Sequence, residues 1–215
     1  MSTTPSLADP DTQPTTLRDS RRLIVAVFAA FVVAYTGENV LPLLIGSLLD
    51  GLGLDEVGAG ILGSLELGGL AVASLLLAPR VDRTSRRHLA VLGAIVACAG
   101  HALSALAGSF PMLVVARIVA GLGEGAVIAA ANSAAASARN PDRLFAQATV
   151  LGGLVFAAAL VALPYVIEPW GHSGGFNAIV VITLLCLPFL FWLPRLPEAA
   201  EELRGSPGHL SLIHI

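Results

Sequence analysis

The 215-residue sequence is 55% hydrophobic and 13% charged, with a formal net charge of -3 and a mean hydropathy of +0.81. Soluble domains carry about 25% charged residues, so a water-soluble fold is excluded and the chain is an integral membrane protein. At about 20 residues per bilayer-spanning helix, the length has room for about six spans plus tails.

Residues Met1 to Ser20 are rich in Ser, Thr, Pro and Asp, and read as a disordered cytoplasmic tail. This stretch is too long and too acidic for the charged start of a signal peptide, so the first apolar run is expected to be a retained helix. The apolar runs follow as Leu23–Leu48, Val57–Ala78, Leu89–Ala107, Pro111–Ala134, Leu144–Ile167 and Phe176–Leu193. Asp50–Glu56, Gly108–Ser109 and Glu168–Gly175 connect them on one side, and Pro79–His88 and Ala135–Arg143 on the other. Residues 21–195 thus form a six-helix unit.

Every basic residue is Arg, and the arginines alternate by side. Arg18, Arg21 and Arg22 precede the first run. Arg80, Arg83, Arg86 and Arg87 follow the second, Arg139 and Arg143 the fourth, and Arg195 and Arg204 the sixth. The three opposite connections hold none. The positive-inside rule therefore places both ends in the cytoplasm. Tyr165 and Trp170 are expected at the outer interface and Trp192 at the inner one. Cys98 and Cys186 lie within apolar runs, without metal-ligand spacing or a disulfide framework.

Four ionisable residues remain inside the spans: Glu38, Glu66, Arg117 and Glu124. A charge at the bilayer centre costs at least about 2.5 kcal/mol, which makes each a functional candidate. Glu38 and Glu66 both fall about 15 Å deep at 1.5 Å per residue. Arg117, Gly121, Glu124 and Gly125 share one face of the fourth helix. Arg117 and Glu38 are expected to pair across a mid-membrane cavity. The pair is either a proton-coupling site, in which movement of Arg117 changes the carboxylate's proton affinity, or a static tie between helices one and four. Glu66 and Glu124 are further candidates for the same cavity. His101 has no evident partner and is read as a packing histidine. The five glycines of the second run, Gly58, Gly60, Gly63, Gly68 and Gly69, are read as close helix packing.

The loop Ala78-Pro79-Arg80-Val81-Asp82-Arg83-Thr84-Ser85-Arg86-Arg87 resembles the signature loop of the major facilitator superfamily. Asp82, Arg83, Arg86 and Arg87 match in type and spacing, while Ala78 and Ser85 stand where the family has glycines. The resemblance implies a cytoplasmic conformational latch built on Asp82, Arg83, Arg86 and Arg87. Arg117, Gly121 and Gly123 are similar to the helix-four motif of proton-coupled members, with Ala120 where a Gln is common. The helix-five proline, Pro164, is preceded by Leu163 and not by the Gly of the family's antiporters.

The fold the resemblance implies is all-α: six transmembrane helices forming two three-helix inverted repeats, one half of a twelve-helix transporter. The function it implies is secondary active transport of a small solute by alternating access, with protons as coupling ion. A non-transporting six-helix membrane scaffold or sensor is the alternative. The expected partners are membrane lipid, a small-molecule substrate, protons and a C-terminal half of the same polypeptide, in a bacterial cytoplasmic membrane. No cofactor, metal, nucleic acid or catalytic residue is expected. An intramembrane serine protease needs Gly-x-Ser-Gly, whereas Gly63-Ser64 is followed by Leu65; a phosphate-binding loop is absent too. Residues 196–209 read as the start of a central cytoplasmic linker. Residues 210–215, Leu-Ser-Leu-Ile-His-Ile, are what one frame of a widely used transposon sequencing adapter encodes. They are expected not to be biological, with the gene continuing into helices seven to twelve.

Overall fold

The computed structural model describes residues 14–81 and 83–195, with side chains from Arg21 onward. The described residues form six α-helices: α1 (Pro14–Leu52), α2 (Glu56–Leu77), α3 (Arg86–Ala105), α4 (Phe110–Ala136), α5 (Pro141–Ala162) and α6 (Pro164–Leu190). All six are long and apolar enough to cross a membrane. Among the described residues there is no strand.

Local signals set the starts. The Asp55 carboxylate accepts from the Gly58 amide at 2.7 Å to cap α2, and Asn140 accepts from the Arg143 amide to cap α5. Ser109 precedes Phe110-Pro111 at the start of α4, where a proline costs no hydrogen bond.

Two boundaries differ from the sequence reading. Helix α1 begins at Pro14, so the last residues of the expected tail are helical. The connection expected over Glu168–Gly175 is mostly helical as well. Pro164 starts α6 directly after Leu163, and only Gly171 breaks the helix, with φ 58° and ψ -152°. That region is open essentially to glycine alone. Proline and glycine density suggests a loop, but Pro164 occupies a helix start and a single glycine absorbs the bend.

The packing is exchanged between the two halves of the unit. Helix α4 packs on α2 and α3, while α1 packs on α5 and α6, so the first helix of each three-helix repeat lies on the other repeat. Glycines permit the close approach. A Cβ added at Gly121 would meet the backbone of Glu66, one at Gly125 that of Leu70, and one at Gly123 the backbone of Gly93 and Ala97. Gly121 and Gly125 therefore face α2, and Gly123 faces α3. In α2 the expected packing role holds for Gly63 and Gly69 and fails for Gly60 and Gly68, which meet nothing.

The buried apolar residues form two layers. One holds Ala26, Ala30, Ala94, Val127, Ala134, Leu144 and Leu190, at the end of the bundle where the arginine-bearing connections lie. The other holds Val40, Leu44, Leu62, Leu113, Leu163 and Phe176, at the opposite end. Tyr165, Trp170 and Trp192 are exposed on the outside of the bundle, the placement that interfacial aromatics favour.

Candidate functional site

Between these layers lies a fully enclosed polar cluster. Each helix that supplies it passes from one apolar layer to the other. Glu66 falls between Leu62 and Leu70 on α2, His101 between Ala94 and Ala105 on α3, and Arg117 and Glu124 between Leu113 and Val127 on α4. All four side chains are at most 1% exposed. Glu66 sits about 15 Å from either end of its helix at 1.5 Å per residue.

Arg117 is the hub. Its Nη1 donates to Glu66 Oε1 at 2.7 Å in a buried ion pair. Nε and Nη2 donate to Ser104 Oγ at 3.2 and 2.7 Å, and Nη2 also donates to His101 Nδ1 at 3.1 Å. Four of the guanidinium's five N–H groups are thereby placed. Ser104 passes its own hydroxyl hydrogen to the Gly100 carbonyl at 2.8 Å, so its oxygen is left free to accept from Arg117. The Phe176 ring on α6 lies under the guanidinium, 4.5 Å from centroid to Cζ, within the range of a cation–π contact. A planar fork on an aromatic face is a geometry that lysine could not supply.

Beyond His101 the chain continues to Glu124. His101 Nε2 and Glu124 Oε1 are 3.1 Å apart. Glu66 Oε2 and Glu124 Oε2 are buried and make no hydrogen bond. One carboxyl group thus holds the guanidinium directly and the other is tied to it through His101, with one oxygen of each making no hydrogen bond. Helix α1 covers the cluster at Gly37, where an added Cβ would lie 2.5 Å from Glu66 Oε1 and 3.0 Å from Glu124 Oε1.

The expected pairing of Arg117 with Glu38 is corrected. Arg117 pairs with Glu66, and Glu38 is only partly buried on α1. Depth does not distinguish the two glutamates; helical azimuth does. Val33, Gly37, Val40 and Leu44 mark the buried face of α1, and Glu38 lies about 100° around from Gly37. His101, read as a packing residue, is instead the link between Arg117 and Glu124. The signal for it was in its surroundings: Ser104 at i+3 adds a second polar group on a face otherwise made of Ala94, Ala97, Gly100 and Ala105.

Glu66, His101 and Glu124 each bring one donor atom within 4.8 Å of the others. Arg117 opposes a metal reading. Its charge occupies the centre, and by donating to Nδ1 it leaves the ring hydrogen on Nε2, the nitrogen that faces Glu124.

Of the expected latch, Asp82 lies outside the described residues and Arg83 is exposed. Arg86 is 3% exposed; its Nη1 donates to Ser137 Oγ at 2.9 Å and its backbone amide to the Arg195 carbonyl at 3.1 Å. Arg87 Nε donates to the Leu193 carbonyl at 3.1 Å. These two arginines tie the α2–α3 connection to the ends of α4 and α6. The expected linker at 196–209 and the six residues at 210–215 lie outside the described residues.

Six exchanged helices around a buried charge cluster define a multi-pass membrane protein with a polar centre. The profile of the Major Facilitator Superfamily matches residues 26–214, and the chain belongs to this family. Two curated relatives are 29% identical over 140 residues: the purine ribonucleoside efflux pump NepI of Escherichia coli (strain K12) and that of Shigella flexneri. The match covers 64% of this chain and 34% of each relative, so the chain spans about a third of their length. The same fold is found in the proton:xylose symporter XylE, with a TM-score of 0.67 and 18% identity over 82% of this chain and 45% of that one. It recurs in a bacterial homologue of the human lysosomal transporter Spinster, with a TM-score of 0.64 and 18% identity over 94% and 47%.

Proposed function

We propose that this chain is the N-terminal half of a proton-coupled secondary transporter for a small solute, working by alternating access, with both ends of the described unit in the cytoplasm of a bacterial inner membrane. The observation that carries the reading is the enclosed cluster: one carboxyl group paired directly with the guanidinium, a second joined to it through His101, and one oxygen of each left over. With both carboxyls ionised and His101 neutral, the cluster holds one surplus negative charge in a buried interior. Burial of such a charge is costly, and a proton removes it. Rearrangement of Arg117 between Glu66 and its other partners then changes which carboxyl holds the proton, which ties protonation to helix position. Glu38, partly buried beside Gly37, serves as the acidic group at the cavity side of the same layer. The loop residues Asp82, Arg83, Arg86 and Arg87 serve as the latch toward the second half, and the substrate lies between halves.

The similarity to purine ribonucleoside efflux pumps makes purine ribonucleosides the first solutes to test. The full-length gene product is reconstituted in proteoliposomes and given an imposed pH gradient. The reading expects gradient-driven movement of solute, abolished by Glu66→Gln. Transport that proceeds at the same rate with and without the gradient contradicts proton coupling. A continuation of the gene into a soluble domain contradicts the transporter reading and favours a sensor.

A further inference from the structure

His101 is the one member of the cluster whose hydrogen-bond polarity is dictated by its neighbours. Arg117 has only donors, so Nδ1 of the ring must accept from Nη2 at 3.1 Å. The ring hydrogen then sits on Nε2 and is donated to Glu124 Oε1 at 3.1 Å. The guanidinium, ring and carboxylate form one chain of hydrogen bonds running in a single direction. Ser104 fixes the start of that chain by accepting twice from Arg117. Glu66 holds the guanidinium from α2, Phe176 supports it from α6, and Gly37 of α1 closes the remaining side beside Glu38.

We propose that His101 is a single-occupancy lock, in which Nδ1 holds either the Arg117 guanidinium or a proton and never both. While Arg117 is docked, the ring is neutral and its lone pair is used. When Arg117 withdraws, a proton forms an N–H bond at Nδ1, and the ring carries between Glu66 and Glu124 the positive charge that the guanidinium had supplied. Return of Arg117 requires that a proton leave. It departs either from Nδ1 itself, or from Nε2 to the Glu124 carboxylate, in which case the ring must exchange tautomer before Nδ1 can accept again. Proton binding and Arg117 docking therefore compete for one nitrogen. This rests on the proton-coupled reading above and names the residue that makes the coupling obligatory.

Two measurements on the full-length protein test it. The first is transport by His101→Asn. The Asn carbonyl can still accept from Arg117 but cannot take a proton. Substrate exchange without net proton movement is expected to persist, while gradient-driven transport falls by at least about a hundredfold. Gradient-driven transport at the wild-type rate overturns the lock. The second is nitrogen NMR of histidine-labelled protein, with the His101 signal assigned by its loss in His101→Asn. The wild type is expected to show a neutral ring with hydrogen on Nε2 across about pH 5 to 8. In the charge-neutral double variant Arg117→Met, Glu66→Met the Nδ1 lone pair loses its donor, and the Nδ1 resonance is expected to move downfield toward that of an unbonded imidazole nitrogen or, where the ring takes a proton, upfield to that of an N–H. An Nδ1 resonance that is the same in both proteins, or a hydrogen on Nδ1 in the wild type, overturns the lock whether or not transport is proton-driven. A wild type that transports independently of pH, with the expected spectra, instead defeats the functional reading and leaves the lock standing.

Discussion

Gly37 of α1 lies directly on the carboxylate of Glu66, since a methyl group built on its Cα would stand 2.5 Å from Oε1. The first helix therefore closes the charge cluster with bare backbone. Gly37→Ala forces a carbon against three groups that are themselves held by ion pair and hydrogen bond. Overpacking of this kind costs about 1–3 kcal/mol, against a helix-propensity gain of about 1 kcal/mol. The purified protein is expected to unfold at lower temperature, and an unchanged or higher Tm contradicts the closure.

Removing one partner of the buried pair should separate Glu66 from Glu38. Glu66→Met leaves Arg117 charged and without its carboxylate in a buried interior, which costs about 3–5 kcal/mol. Glu66→Met combined with Arg117→Met is expected to recover most of that loss. Glu38→Gln, on a partly buried residue with no part in the pair, should change stability by no more than about 0.5 kcal/mol. Thermal unfolding of these three variants, of Arg117→Met alone and of the wild type checks this. Additive losses in the double variant count against the pair.

Helix α4 offers a contrast between glycines. A Cβ at Gly121 would run into the Glu66 backbone, whereas one at Gly68 on α2 meets nothing. Gly121→Ala is expected to push α2 away from α4 and to lower stability by about 1–3 kcal/mol. Gly68→Ala is expected to be neutral or slightly stabilising through helix propensity. Equal effects from the two changes contradict the packing.

At Gly171 the backbone itself is decisive. Its φ of 58° and ψ of -152° lie where a side chain is strained, at a cost of about 1–3 kcal/mol. Gly171→Ala is expected to lower the Tm without any contact to the cluster, and an unchanged Tm contradicts the bend.

Much of this was legible from the residues, and the failures share a cause. The six spans followed from apolar length and from arginines confined to alternate connections. Intramembrane cost selected Glu66, Arg117 and Glu124, all three of which meet in the cluster. It also selected Glu38, because depth along a helix is readable from spacing while rotation about it depends on which face the neighbours cover. The exchanged packing turns Gly37 inward and Glu38 aside. His101 was missed because a neutral imidazole gives no charge signal. Its role exists only once α3 and α4 bring it between Arg117 and Glu124. The glycines of α2 were half legible for a related reason: Gly63 and Gly69 meet neighbours and Gly60 and Gly68 do not, and a glycine-rich run does not say which of its members touches a neighbour.

The central claim is that the cluster of Glu66, His101, Arg117 and Glu124 couples protons to transport. Glu124→Gln tests it most directly, because it keeps an acceptor for His101 and removes the carboxyl at the end of the hydrogen-bonded chain. In proteoliposomes holding the full-length protein, solute counterflow and pH-gradient-driven transport are measured side by side. The account predicts counterflow retained and gradient-driven transport abolished; gradient-driven transport at the wild-type rate would contradict it.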